Sequence, residues 1–288
     1  MAENKKAVLR RIKAVKSTQQ ITKAMKMVSA AKLRRAQERV LAARPYAREL
    51  AKTLARLVQG GAGANHPLLA QRSGTPTVAY VVMTADRGLA GSFNVNIIRK
   101  AHATMKADAR PLKLVAIGRK GRDFFKKRGI DPVVEFAGFG EDPSFALARQ
   151  MLSQVTDLYL KGEVDEVRII YTEFVNPVTQ RPKEIQLLPV VAPEGETTKG
   201  PAMDYIYVPD AEAVLNSLVP RFAETMFYQA LLESKASEHG ARMTAMGSAT
   251  DNAKEIIGKL TLAFNRARQA SITREISEIV GGAAALEG

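Results

Sequence analysis

Apolar residues along this chain follow three kinds of spacing, and each dictates an element. From residue 210 onward, Leu215, Leu218, Phe222, Leu232, Ala236, Met243, Met246, Ala253, Ile257, Leu260, Phe264 and Ala267 keep one 3-4 spaced stripe, which predicts a single helix over 210–288. At 1.5 Å per residue that helix is about 118 Å long, several times the diameter of any domain this chain can form. Residues 1–60 repeat the pattern through Val8, Ile12, Val15, Met25, Val28, Ala36, Val40, Ala43, Leu50, Leu54 and Leu57, with no glycine before Gly60. A second helix of about 80 Å follows. Pro45 removes one ladder hydrogen bond and is expected to kink it, and the Gly60-Gly61-Ala62-Gly63 run ends it.

Between the two helices the spacing changes. Continuous apolar runs at Thr77–Met83, Lys113–Ile117, Pro132–Phe139 and Glu166–Thr172 read as buried strands, and they alternate with amphipathic helices over about 93–108, 119–128 and 144–161. Extended runs at Glu184–Val191 and Tyr205–Val208 flank a polar loop, Pro193–Pro201, and are expected to finish the sheet or its edge. Such alternation predicts an open, Rossmann-like α/β domain over 76–209 with helices on its faces.

Connecting the pieces gives an α/β fold class with an antiparallel coiled coil of the terminal helices emerging from the central domain, the two helices forming one shaft. With residue 58 beside residue 210, the N-terminal helix back to Lys5 pairs with the C-terminal helix out to residue 263, which leaves about 25 residues over. That remainder carries Ile272, Ile276, Ile279 and Val280, then Gly281-Gly282-Ala283-Ala284-Ala285-Leu286, and is too apolar to stand alone in water. Another protein is expected to enclose it. The seam is also weak for a self-sufficient coiled coil, because Gln19, Thr22, Gln229, His239 and Thr250 interrupt it.

Composition narrows the compartment. The 288 residues are 46% hydrophobic and 25% charged, which suits one or two globular domains. The absence of cysteine removes disulfides and thiolate metal sites. The N-terminus is charged without an apolar run, so no secretory signal is expected, and no run of 18 apolar residues predicts a membrane span. A cytoplasmic setting fits these features.

Charge is distributed unevenly. Residues 1–60 carry +13, residues 61–209 carry +3 and residues 210–288 carry −2, which together make the net +14. A helix of charge +13 raises the alternative of a basic coiled-coil protein that binds nucleic acid. Against it, residues 1–45 hold no aromatic for base stacking and the apolar stripe runs on through the basic segment. An acidic protein partner fits better.

Catalytic patterns are sparse. There is no G-x-x-x-x-G-K-[ST] and no H-E-x-x-H, and His66, His102 and His239 lack the spacing of a metal site, so each reads as structural or solvated. The most enzyme-like stretch is Asp86-Arg87-Gly88-Leu89-Ala90-Gly91-Ser92, which follows the first strand and opens a helix whose backbone N–H groups suit an anion. A tight strand-to-helix turn capped by Ser92 or Asn94 explains the same residues more simply. Gly118-Arg119-Lys120-Gly121-Arg122 repeats the arrangement more weakly. No cofactor is expected, and an enzyme with long oligomerisation helices is the weaker alternative.

Several longer stretches together resemble a known family. Ser17-Thr-Gln-Gln-Ile-Thr-Lys-Ala-Met-Lys-Met-Val28, Ala31-Lys-Leu-Arg-Arg-Ala-Gln37, Thr84-Ala-Asp-Arg-Gly-Leu-Ala-Gly91, Ala241-Arg-Met-Thr-Ala-Met246, Ala249-Thr-Asp-Asn252 and Asn265-Arg-Ala-Arg-Gln-Ala-Ser-Ile-Thr-Arg-Glu-Ile276 are similar, in this order and from end to end, to the gamma subunit of bacterial-type F-type ATP synthase. The resemblance implies a non-catalytic rotor subunit. Its paired helices would occupy the cavity of three alpha and three beta subunits, and its α/β domain would form the foot on a membrane ring of c subunits and bind the epsilon subunit. Proton flow would turn ring and shaft and drive the beta sites through their states in ATP synthesis, with hydrolysis the reverse. The implied place is the cytoplasmic face of the bacterial inner membrane, peripheral through the c-ring, with no nucleic acid among its partners and room for an inhibitor protein of the complex.

By residue, the resemblance puts Met25, with Lys23 and Lys26 beside it, against acidic lever loops of beta. Arg268, Gln269 and Thr273 match polar contacts to a catch loop of beta, while Tyr46, Tyr205 and Tyr207 match the region beside the c-ring loops. Plant-chloroplast relatives carry a cysteine-containing regulatory insertion, and a chain without cysteine has no redox control of that kind.

Overall fold

The computed structural model describes residues 5–59, 66–70, 76–140, 142–191 and 210–287. Helix α1 (Lys5–Gln59) is followed by β1 (Val78–Met83), α2 (Phe93–Ala107), β2 (Leu112–Ile117), α3 (Arg119–Lys126), β3 (Val134–Phe136), α4 (Phe145–Leu160), β4 (Glu166–Phe174), β5 (Gln180–Leu188) and α5 (Ala211–Glu287). The chain forms two compact units, one of Ser29–Arg242 and one of the first part of α1, to Val28, with α5 from Met243.

In the first unit the sheet has the order β3-β2-β1-β4-β5, parallel except that β5 runs antiparallel to β4. The apolar runs have a direct cause, since a central parallel strand is covered on both faces. On one face Val78, Tyr80 and Val82 of β1 meet Ile97, Ala101 and Met105 of α2 and Phe125 of α3. On the other, Ala79, Val81 and Met83 meet Met151 and Val155 of α4, together with Leu54 and Leu57 of α1 and Leu215, Val219 and Phe227 of α5. The chain winds outward from β1 to β3, then crosses to the other side of β1 for β4, and α4 packs on the face opposite α2 and α3, as the right-handed rule for such crossovers requires.

The strand expected from Glu184 begins at Gln180 instead. A turn at Asn176, whose Oδ1 accepts from the N–H groups of Val178 and Thr179, returns the chain onto β4. Gln180, Arg181 and Lys183 make this a polar edge strand, which hides it from a search for apolar runs. The strand expected at Tyr205–Val208, the loop at Pro193–Pro201 and the glycine run after Gln59 lie outside the described residues.

The second unit is a pair of antiparallel helices. Thr250 Oγ1 lies 2.8 Å from Thr22 Oγ1, and the Lys26 side chain packs on Gly247, with its Cε 3.6 Å from where a Cβ would stand. Thr22 donates to the Gln19 carbonyl at 3.1 Å, and Thr250 Oγ1 lies within hydrogen-bond reach of both Thr22 Oγ1 and the Met246 carbonyl, so these two polar seam positions have partners. Pairing residue 58 with residue 210 would set Thr22 opposite residue 246. The structure sets it opposite Thr250, about one helical turn further on. Carried back to Lys5, this register leaves about 20 residues of α5 beyond the end of α1, fewer than the 25 expected.

Both helices run through a proline, Pro45 in α1 and Pro220 in α5. The carbonyls they leave without an N–H belong to the exposed residues Leu41 and Asn216. Among the described residues no helix is long and apolar enough to cross a membrane.

Candidate functional site

The turn after β1 is the place where an open α/β sheet of this winding binds ligands. Here the protein fills that place itself. Asp86 Oδ1 accepts from the N–H of Arg119, the first residue of α3, at 3.0 Å, and its Oδ2 accepts from the N–H of Gly138 at 2.9 Å. A side-chain carboxylate therefore occupies the anion position at the α3 N-terminus. The N–H of Lys120 goes to the Ala85 carbonyl at 3.1 Å and that of Gly121 to Thr84 Oγ1 at 2.9 Å. A Cβ on Gly118 would stand 2.1 Å from the Thr84 carbonyl oxygen, so the glycine serves close packing of α3 on β1 rather than room for a phosphate. At α2, Ser92 makes no side-chain cap, and Asn94 instead accepts from the Ala85 N–H at 2.9 Å. The stretch is a tight strand-to-helix turn, but the cap expected from Ser92 or Asn94 is not made.

The same turn grips α5. Ala85, Ala90 and Phe93 form a small apolar cluster with Ala241, and Arg242 donates to the Gly88 carbonyl at 3.3 Å. From Ala230 to Ala241 every residue of α5 is buried, although the stretch contains Glu233, Lys235, Glu238 and His239. Small residues make this enclosure feasible. Ser237 donates to the Thr172 carbonyl at 3.1 Å, and a Cβ on Gly240 would meet Pro177 at 3.4 Å. The charges compensate one another, with Glu238 receiving Lys235 at 3.1 Å and Arg242 at 2.9 Å, and Lys235 lying 4.9 Å from the Phe139 ring. The Glu238 carboxyl is held below its usual range: burial opposes the shift, and the neighbouring Lys235 and Arg242 outweigh it. His239 is pushed down to about 4 by burial, and its Nδ1 has no partner.

A second ionic cluster lies along β1, β4 and β5. Arg110 bridges Asp108 and Glu166, Arg168 bridges Glu166 and Glu184, and the Tyr80 hydroxyl donates to Asp108 at 2.6 Å. Burial, helped by that bond, pushes the Tyr80 hydroxyl up to about 12. Each of these charges is matched by another, which makes the cluster a brace. Among the described residues no group of three or more His, Asp or Glu is placed to hold a metal ion.

The turn after β1 thus packs α5, and its anion position is taken by the chain's own carboxylate. The family model described as ATP synthase matches residues 4–286. The ATP synthase gamma chain of Symbiobacterium thermophilum is 71% identical over 289 residues, covering 100% of both chains. The chain belongs to the ATP synthase gamma-chain family. The gamma chain of Heliobacterium modesticaldum is 56% identical, over 97% of this chain and 98% of that one. Among solved structures, a chain of the Tetrahymena thermophila mitochondrial ATP synthase central stalk and c-ring is 25% identical with a TM-score of 0.61, over 80% of this chain and 99% of that one. A chain of the Euglena gracilis mitochondrial enzyme, at 18% identity and a TM-score of 0.69 over 98% of this chain and 94% of that one, shares the fold.

The residues that the family resemblance singled out fall into separate places. Lys23 and Lys26 are exposed on α1 and Met25 between them is half-buried. Arg268, Gln269 and Thr273 are exposed on α5, with Gln269 and Thr273 one turn apart on the same face. By the Thr22–Thr250 register the two groups are about 28 Å apart along the helix pair. Tyr46 on α1 is 54% exposed, and Tyr205 and Tyr207 lie outside the described residues. Beyond the reach of α1, Ile272, Ile276, Ile279 and Val280 are 46%, 55%, 72% and 62% exposed. Sequence reading missed the buried waist of α5, whose signal was Ser234, Ala236, Ser237, Gly240 and Ala241 set between its charges.

Proposed function

We propose that this chain is the central-stalk rotor subunit of a proton-translocating F-type ATP synthase, with no catalytic site of its own. The observation that carries the reading is identity to gamma chains over the whole length, 71% in one relative. The carboxylate of Asp86 in the anion position at the start of α3 supports the non-catalytic role.

The two terminal helices form one shaft. Lys23, Met25 and Lys26 meet acidic loops of the catalytic beta subunits, and Arg268, Gln269 and Thr273 meet a second beta loop nearer the tip. Three alpha and three beta subunits surround the shaft, while the α/β domain holds the epsilon subunit and rests through Tyr46, Tyr205 and Tyr207 on the c-ring. That ring ties the chain peripherally to the cytoplasmic face of the bacterial inner membrane. Turning presents different shaft contacts to each beta site, and a site is biased only by the difference in those contacts between its states.

The test is reconstitution. Alpha and beta subunits mixed with this chain should yield a stable complex with one copy of it and ATPase activity, and activity should be absent from the chain alone. A chain that stays monomeric in that mixture, or that hydrolyses ATP unaided, overturns the proposal.

A further inference from the structure

Within the unit of Ser29–Arg242, α1 and α5 leave a groove of about 450 Å³ between them. Side-chain size is its cause. Ala47, Ala51 and Ala55 line it at one-turn intervals from α1, and three methyl groups cannot fill the space that Phe222 and Met226 leave from α5. Along its edge run Arg44, Arg48 and Lys52, again one turn apart and spanning about 12 Å. Lys52 is held by Glu49 at 2.9 Å, whereas Arg44 and Arg48 make no ion pair among the described residues.

The α5 wall carries Glu233, which is 6% exposed. Its Oε1 receives Gln229 Nε2 at 3.4 Å, and its Oε2 is buried without a partner. A buried carboxylate oxygen without a donor is costly, and this one belongs to a residue in the groove wall. The groove therefore offers two guanidinium groups without ion pairs among the described residues, an apolar middle and a carboxylate residue in its wall.

We propose that this groove binds an organic phosphate of nucleotide size, its phosphate on Arg44, Arg48 and Lys52, a hydroxyl donating to Glu233, and its body against Phe222 and Met226. Arginine pairs take phosphate oxygens in a fork geometry, and the volume lies in the range of small-molecule sites. A bare phosphate leaves Glu233 and the apolar wall without a partner. A cationic ligand is repelled by the three basic side chains. This site is separate from the turn after β1, and it does not depend on the rotor role.

AMP, ADP, glycerol 3-phosphate and inorganic phosphate titrated calorimetrically into the full-length chain at low salt provide the test. The nucleotides should bind saturably at one site, about tenfold more weakly in the Arg44→Ala/Arg48→Ala double variant. Glu233→Leu should weaken them about fivefold by removing the acceptor, while Glu233→Gln, whose carbonyl still accepts, keeps most of the affinity. Circular dichroism of each variant establishes that it is folded, and Glu233→Gln keeps the comparison informative if leucine disturbs the helix. Absence of saturable nucleotide binding, binding indifferent to the arginines, or inorganic phosphate or glycerol 3-phosphate binding as tightly as the nucleotides overturns the proposal.

Discussion

His239 and Glu233, both in the buried waist of α5, titrate in opposite senses. Burial lowers the His239 pKa to about 4, below the ordinary 6.5, with Glu238 acting upward and Arg242, Lys235 and Lys32 downward. The unfolded chain takes up this proton below pH 6.5 and the folded chain does not, so the stability is whole above 6.5 and is lost as pH falls toward 4. The loss across that window is about 3 kcal/mol at 1.36 kcal/mol per unit. Urea unfolding of His239→Gln should therefore show a smaller decline between pH 7 and pH 4.5 than the parent, and equal declines would rule the effect out. Glu233 is raised instead, first by burial and then by Glu173, against the Gln229 bond and Arg44. Its contribution is present below the ordinary carboxylate pKa of 4.5 and is lost as pH rises through the raised value. Glu233→Leu should then gain about 1–3 kcal/mol over the parent at pH 7 and little at pH 4, read from the same unfolding curves.

At the scale of elements, what could be read from the chain was set by how each one meets water. Strands β1, β2 and β4 are apolar because they are covered, and the long helices announce themselves by a stripe that survives a dozen turns. Edge strand β5 is polar on its open side and began four residues before its first apolar cue. The coiled-coil register came out one turn off, because small residues such as Gly247 and Thr250 let the helices slide without a large knob to fix them. The waist of α5 was invisible for a related reason: charges imply solvent, and only the folded chain reveals that Lys235, Glu238 and Arg242 neutralise one another. The turn Asp86–Gly91, the most enzyme-like stretch of the sequence though more simply read as a turn, is the clamp on that waist. Arg242→Ala should release it. Glu238 would keep only Lys235, at a cost of about 3 kcal/mol for a half-broken buried pair. Hydrogen exchange should speed up at the amides of 86–91 and stay unchanged around Asp108 and Arg110; uniform acceleration would mean that the clamp is not local.

For the whole molecule, the question is what the last turns of α5 contribute, since they add apolar surface with no helix beside it among the described residues. Ile272, Ile276, Ile279 and Val280 follow one another at intervals of four, three and one residues, which gathers them on one side of the helix. A stripe exposed to this degree costs solubility unless a partner covers it. Removing residues 277–288 takes away Ile279 and Val280 and touches none of the cores formed around β1 and β4. Thermal unfolding of the isolated chain should shift by no more than the roughly 0.5 kcal/mol typical of surface changes. Assembly with alpha and beta subunits should suffer instead, seen as a complex that dissociates at lower dilution or couples hydrolysis to proton movement less tightly. The two readouts separate a partner-covered tip from a merely structural one. If truncation lowered the unfolding temperature of the isolated chain while the assembled complex kept its stability and coupling, the tip would belong to the fold and not to the partners.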